Sequence, residues 1–74
     1  MKITVYTKPS CVQCDATKRL LTKLRLAFTA IDATADEEVY NMLVEKGFKS
    51  MPVVNVDNEW WSGFNPDKIN RLVD

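Results

Sequence analysis

Two cysteines, Cys11 and Cys14, stand in the run TKPSCVQCDATKRLL, where helical character begins. Sulfurs at this spacing can hold a metal, staple a fold, or take up electrons and pass them on. A tetrahedral zinc site asks for three or four protein ligands, usually Cys and His. The chain has two cysteines and no histidine, so it cannot close such a site alone. A disulfide across so short a loop removes little chain entropy, and lasting structural disulfides are rare in reducing compartments. The reading that remains is a dithiol that cycles with its own disulfide. Thiolate is the nucleophile in such chemistry. A helix start offers free backbone N–H groups and the positive end of the dipole, and both favour S⁻ at Cys11. Cys14 falls on the same face one turn deeper, a spacing that permits a Cys11–Cys14 disulfide without unwinding the helix. Cys11 is therefore expected to attack a substrate disulfide, and Cys14 to resolve the mixed disulfide. A lowered thiol pKa speeds attack only a few-fold, because nucleophilicity falls with a Brønsted slope of about 0.4–0.5; the larger benefit is a better leaving group wherever Cys11 is itself displaced from a mixed disulfide.

The flanking residues modulate this chemistry. Lys8, three residues before Cys11, either adds positive charge beside the thiolate or is a solvated loop lysine, since surface charges interact weakly. Asp15 opposes ionisation unless its carboxylate turns to solvent. Gln13 stands where a side chain can touch a partner, and Ser10-x-x-Gln13 also matches a capping box. Val12 puts an apolar side chain at the rim and reads as contact surface.

The elements that position the pair can be read along the chain. KITVY is a β-rich run with the loose alternation of a central strand, and TKPS breaks it. From Val12 the apolar positions Leu20, Leu21 and Leu24 recur at helical spacing, with Ala16 and Thr17 a turn earlier. LAFTAID follows as a second strand centred on Phe28 and Ile31, and a right-handed crossover makes the two strands parallel. Thr34 with Glu37 fits a capping box for a second helix whose stripe is Val39, Tyr40, Leu43 and Val44, ended by Gly47. MPVVNV and DNEWW read as paired strands turning at Asp57-Asn58. Asn65, Pro66 and Asp67 open a last helix with Ile69, Leu72 and Val73 inward. The order is βαβαββα, a four-stranded mixed sheet flanked by helices, which is the minimal thioredoxin fold. A C-x-x-C beside a βαβ unit reads as a thioredoxin-like redox pair.

Composition bounds the alternatives. The 74 residues, 46% hydrophobic and 27% charged, suit one small globular domain spanning 1–74. Ten basic residues balance ten acidic ones, which argues against nucleic acid or an anionic membrane as main partner. No apolar run reaches the length of a membrane span, and MKITVY lacks the apolar stretch of a signal peptide, so a cytoplasmic location is expected.

The pieces YTKPSCVQC, GFKSMPVV and WSGFNPDKINRL resemble the NrdH redoxins, small glutaredoxin-like proteins, over nearly the whole chain. The resemblance implies an electron donor to class Ib ribonucleotide reductase, acting on its large subunit and itself reduced by thioredoxin reductase. It implies a monomer with no bound cofactor, whose working group is the Cys11–Cys14 disulfide. A cis bond before Pro52 is expected on the same grounds, against a base rate of about 5–6%. Met51 would then offer its N–H and C=O to a bound peptide, as in strand addition. Trp61, Ser62, Gly63 and Phe64 would form an apolar recognition surface, although core packing is the ordinary role for one of Trp60 and Trp61. The buried acid that thioredoxins carry on the first strand is replaced here by Ile3 and Val5, leaving activation to backbone amides.

Two other functions share this framework. One is a glutathione-dependent glutaredoxin; the other is an iron–sulfur carrier built from Cys11 of two subunits and two glutathiones. Glutaredoxins typically show T-V-P and a G-G with an acid three residues later. Here SMP and SGFNPD stand at those places, with Ser62 for the first glycine, Pro66 where the acid is expected and Asp67 shifted by one. Both glutathione readings weaken together, and the reductase donor is favoured.

Overall fold

The computed structural model describes residues 1–73. Its elements are β1 (Ile3–Thr7), α1 (Val12–Lys23), β2 (Thr29–Asp32), α2 (Glu37–Glu45), β3 (Val53–Val56), β4 (Glu59–Ser62) and α3 (Pro66–Arg71). The strands lie in the order β2-β1-β3-β4. β1 runs parallel to β2 and antiparallel to β3, and β3 is antiparallel to β4, so the sheet is mixed as expected. This is the thioredoxin fold in its smallest form.

Strand periodicity sorts the side chains onto two faces. Val5 sits opposite Val54 and Val54 opposite Trp61, making one apolar row across three strands. With Ile3, Val56, Leu21 and Ile69 this row forms the larger core, roofed by α1 and α3 through Leu20, Leu24 and Leu72. Tyr6, Val53 and Trp60 point to the other face, where α2 covers them with Val39, Met42 and Leu43. Full burial of such a side chain contributes about 1.5–3 kcal/mol, so the two layers account for the hold on each helix. Both cysteines pack in the second cluster, beside Met51 and Leu43.

Several local expectations shift. Asp36, not Thr34, caps α2: its Oδ1 accepts the N–H groups of Glu38 at 2.9 Å and Val39 at 3.3 Å. Thr34 is engaged one turn earlier, donating its N–H and hydroxyl to Asp32. A helix starting after Asp36 presents Val39, Met42 and Leu43 inward, and leaves Tyr40 and Val44 about half exposed, at 46% and 47%. The second strand begins at Thr29, with Phe28 just before it packing against the larger core. Val73 lies outside α3 and is exposed. Other expectations hold as read. Asn65 caps α3 by accepting the Lys68 N–H, with Pro66 at the first helical position. Gly47 ends α2 at φ +94°, and Phe48 N–H closes back on the Leu43 carbonyl. Asp57 takes φ +53° at the β3–β4 turn, which Asn55 ties by donating to the carbonyls of Asp57 and Glu59.

Candidate functional site

The end of β1, the first turn of α1, the loop before β3 and the end of β4 converge on the two sulfurs. Cys11 is itself the N-cap of α1, with extended backbone at φ −117° and ψ 107°. Its Sγ accepts the backbone N–H of Cys14 at 3.1 Å, and its carbonyl takes the first helical bond, from Asp15 N–H. Ser10 therefore does not cap this helix. It occupies φ +56° and turns the chain so that sulfur, rather than the serine hydroxyl, meets the free amides. Cys11 and Cys14 form a disulfide with their Cα atoms 5.2 Å apart. Their exposure is ordered: 7% for Cys11 and 1% for Cys14. Any partner sulfur reaches Cys11 first.

The Met51–Pro52 peptide is cis. Met51 is nearly buried, and its carbonyl oxygen lies 3.7 Å from Cys11 Sγ, where it can accept the S–H of the dithiol form. The Pro52 carbonyl accepts the Gly63 N–H at 2.8 Å, extending the Val53–Ser62 pairing by one bond. Gly63 sits at φ +83°, a region that L side chains enter at a penalty. Next to it, Phe64 donates its N–H to Gln13 Oε1 at 3.3 Å. Gln13 thus reaches across the site to the turn after β4, instead of completing a box with Ser10.

Val12 is 84% exposed beside Cys11, and Phe64 is 39% exposed at a hollow along α1 lined by Ala16, Arg19, Leu20 and Lys23, while Ser62 is exposed at the end of β4. The ring of Trp61 is not on the surface with them. It is 6% exposed, packs in the larger core, and its buried Nε1 has no hydrogen-bond partner among the described residues. Trp60 takes the opposite face, as alternation requires, stacked with Tyr6 and Phe48 under the ammonium of Lys46. Lys8 is exposed in the turn before Cys11. Asp15 is exposed as well, and its carboxylate faces Lys18 Nζ at 3.7 Å, so the acid one turn after Cys11 is directed away from the sulfur and partly screened. Sequence reasoning missed the Gln13–Phe64 bond and the capping role of Cys11 itself; the first spans 51 positions and has no local signal.

Among the described residues no group of three or more His, Cys, Asp or Glu gathers as a metal site, and no helix is long and apolar enough to cross a membrane. The chemistry available lies in the two sulfurs. A family model for glutaredoxin matches residues 3–61. Glutaredoxin-like protein NrdH of Escherichia coli K12 is 44% identical over 97% of this chain and 89% of its own.

The chain belongs to the glutaredoxin-like NrdH redoxins.

NrdH of Lactococcus lactis subsp. cremoris is 34% identical over 95% of this chain and 97% of its own. The solved structure of the Escherichia coli NrdH-redoxin superposes with a TM-score of 0.94, covering 97% of this chain and 95% of that one. That protein is described as glutaredoxin-like with a thioredoxin-like activity profile. Membership and geometry agree that this redoxin is a thiol–disulfide oxidoreductase working through the Cys11–Cys14 pair.

Proposed function

We propose that this redoxin is a cytoplasmic electron carrier, reduced by thioredoxin reductase and donating to the large subunit of class Ib ribonucleotide reductase. The observation that carries the order of steps is the graded burial of the sulfurs, 7% against 1%. The Cys11 thiolate attacks one sulfur of the target disulfide, forming a mixed disulfide and releasing the other target sulfur as thiolate. Cys14 then attacks Cys11 Sγ, the Cys11–Cys14 disulfide forms, and the second target sulfur leaves. Two electrons pass from redoxin to target. The Cys14 N–H on Cys11 Sγ is a contact stronger to a thiolate than to a thiol, so it favours the attacking form of Cys11 and its release as thiolate when the reductase resolves its own mixed disulfide with Cys11.

Partner contact is assigned to Val12, Gln13, Ser62, Gly63 and Phe64 around the sulfurs, with the Met51 backbone pairing to the target strand. Among the described residues Met51 C=O faces Cys11 and has no strand partner. The choice of reductase rests on the relatives' thioredoxin-like character and on Ser62, Pro66 and Asp67 departing from the glutaredoxin pattern for glutathione. Oxidised protein offered NADPH with thioredoxin reductase, and separately NADPH with glutathione and glutathione reductase, tests it. Rapid NADPH consumption only in the first mixture is the expected result. Reduction only through glutathione would overturn the reading and make this a glutathione-dependent glutaredoxin.

A further inference from the structure

We infer that Gln13 is a positioning residue that holds the turn after β4 in place for protein partners. Four observations combine. Phe64 N–H is a donor, so the atom of Gln13 that meets it at 3.3 Å must be the amide oxygen, which removes the usual ambiguity of a glutamine flip. The preceding N–H, on Gly63, is held by the Pro52 carbonyl at 2.8 Å. Two successive amides of one turn are therefore tied to the two halves of the dithiol site, one to the helix carrying the cysteines and one to the loop facing them.

The Gln13 backbone is itself fixed. Its carbonyl accepts the hydroxyl of Thr17 at 2.8 Å, and Thr17 is fully buried. The strut thus stands on a rigid base, and its free end reaches the residue that carries the exposed aromatic ring of the turn, Phe64. Space at Gly63 agrees: a Cβ there would lie 3.5 Å from Gln13 Oε1, so the turn rests directly on the glutamine head. Ordering a segment before binding removes that entropy term from association, and this is the gain a strut provides. Loss of the Gln13 oxygen would leave the sulfurs in place, because Cys14 N–H and the helix do not depend on it, and would let Phe64 move. The effect belongs to docking rather than to sulfur exchange.

This inference deepens the proposed partner surface and rests on it only for the kinetic half of its test. Gln13→Leu and Gln13→Ala remove the acceptor; Gln13→Glu keeps one. The first readout is solvent exchange of the Phe64 amide by NMR, expected to speed up several-fold in the Leu and Ala variants and to return toward wild type in the Glu variant. The second is steady-state reduction by thioredoxin reductase. KM is expected to rise about fivefold in the Leu and Ala variants, by more than kcat falls. Their loss with the protein partner should also exceed their loss with hydroxyethyl disulfide by a similar factor. A Phe64 amide that exchanges equally in all four proteins would overturn the inference, as would equal losses with the protein and the small disulfide. Failure of the wild-type protein to accept electrons from thioredoxin reductase would instead contradict the proposed function, and the amide readout would still decide the strut.

Discussion

The sulfur of Cys11 caps the helix that contains its own partner, accepting the backbone N–H of Cys14 at 3.1 Å. One residue therefore supplies both the amide that stabilises charge on the attacking sulfur and the thiol that later bonds to that sulfur and releases the target. A serine or aspartate oxygen does this job at most helix starts. Here the sulfur replaces it, so the nucleophile is held by the same interaction that begins the helix. Ser10 makes the arrangement possible by turning at φ +56° immediately before.

Gly63 should tolerate no side chain without loss. Its φ of +83° is a conformation an alanine enters at about 1–2 kcal/mol, while a Cβ would find ordinary contact at 3.5 Å from Gln13. Gly63→Ala is thus expected to lower unfolding free energy by about that amount through backbone strain alone. Urea denaturation at neutral pH checks it, and a neutral substitution would contradict the assigned turn.

The inward face of α2 can be tested by contrast. Leu43 is fully buried in the cluster that holds both cysteines, so Leu43→Ala should destabilise by about 2–5 kcal/mol. Val44→Ala, at a position 47% exposed, should fall within about 0.5 kcal/mol of wild type. Paired chemical denaturation curves decide the matter. Similar losses at both positions would restore the stripe read from spacing alone.

Asp32 links stability to acid. The Thr34 hydroxyl, then the Thr34 N–H, hold its carboxyl below the ordinary value of 3.8. A carboxyl depressed in the folded state stabilises fully above its unfolded pKa, and that contribution disappears as pH falls through the folded one. The stability difference between wild type and Asp32→Asn should therefore be complete at neutral pH and close below about pH 4. The gap is expected to be small, since the group is fully exposed. A gap independent of pH would contradict the linkage.

How much of this was legible in the sequence depends on the range of the interaction. The element order, the caps at Asn65 and Gly47, and the alternation of Trp60 and Trp61 were readable because each follows from local spacing or a single turn residue. The α2 cap was misread because Thr34 and Asp36 are both competent caps, and the choice fell to Asp32, which captures the Thr34 hydroxyl first. The stripe differs as well: Val39, Met42 and Leu43 pack inward while Tyr40 and Val44 are about half exposed. Around the site, C-x-x-C located both sulfurs, and resemblance supplied the cis bond at Pro52 that composition alone would not. Trp61 was placed on the recognition surface by the same resemblance, yet it faces Val54 across the sheet and is committed to the core. The Gln13–Phe64 bond lay beyond any local pattern, because tertiary closure of the sheet creates it.

Capture of the mixed disulfide decides whether Cys11 attacks and Cys14 resolves. Oxidised class Ib ribonucleotide reductase large subunit is mixed with reduced Cys14→Ser, and in parallel with reduced Cys11→Ser, then resolved without reductant and mapped by mass spectrometry. Cys14→Ser is expected to accumulate a stable one-to-one adduct joined through Cys11, while Cys11→Ser accumulates none. An adduct through Cys14 in the Cys11→Ser protein, or no adduct with either variant, would contradict the account.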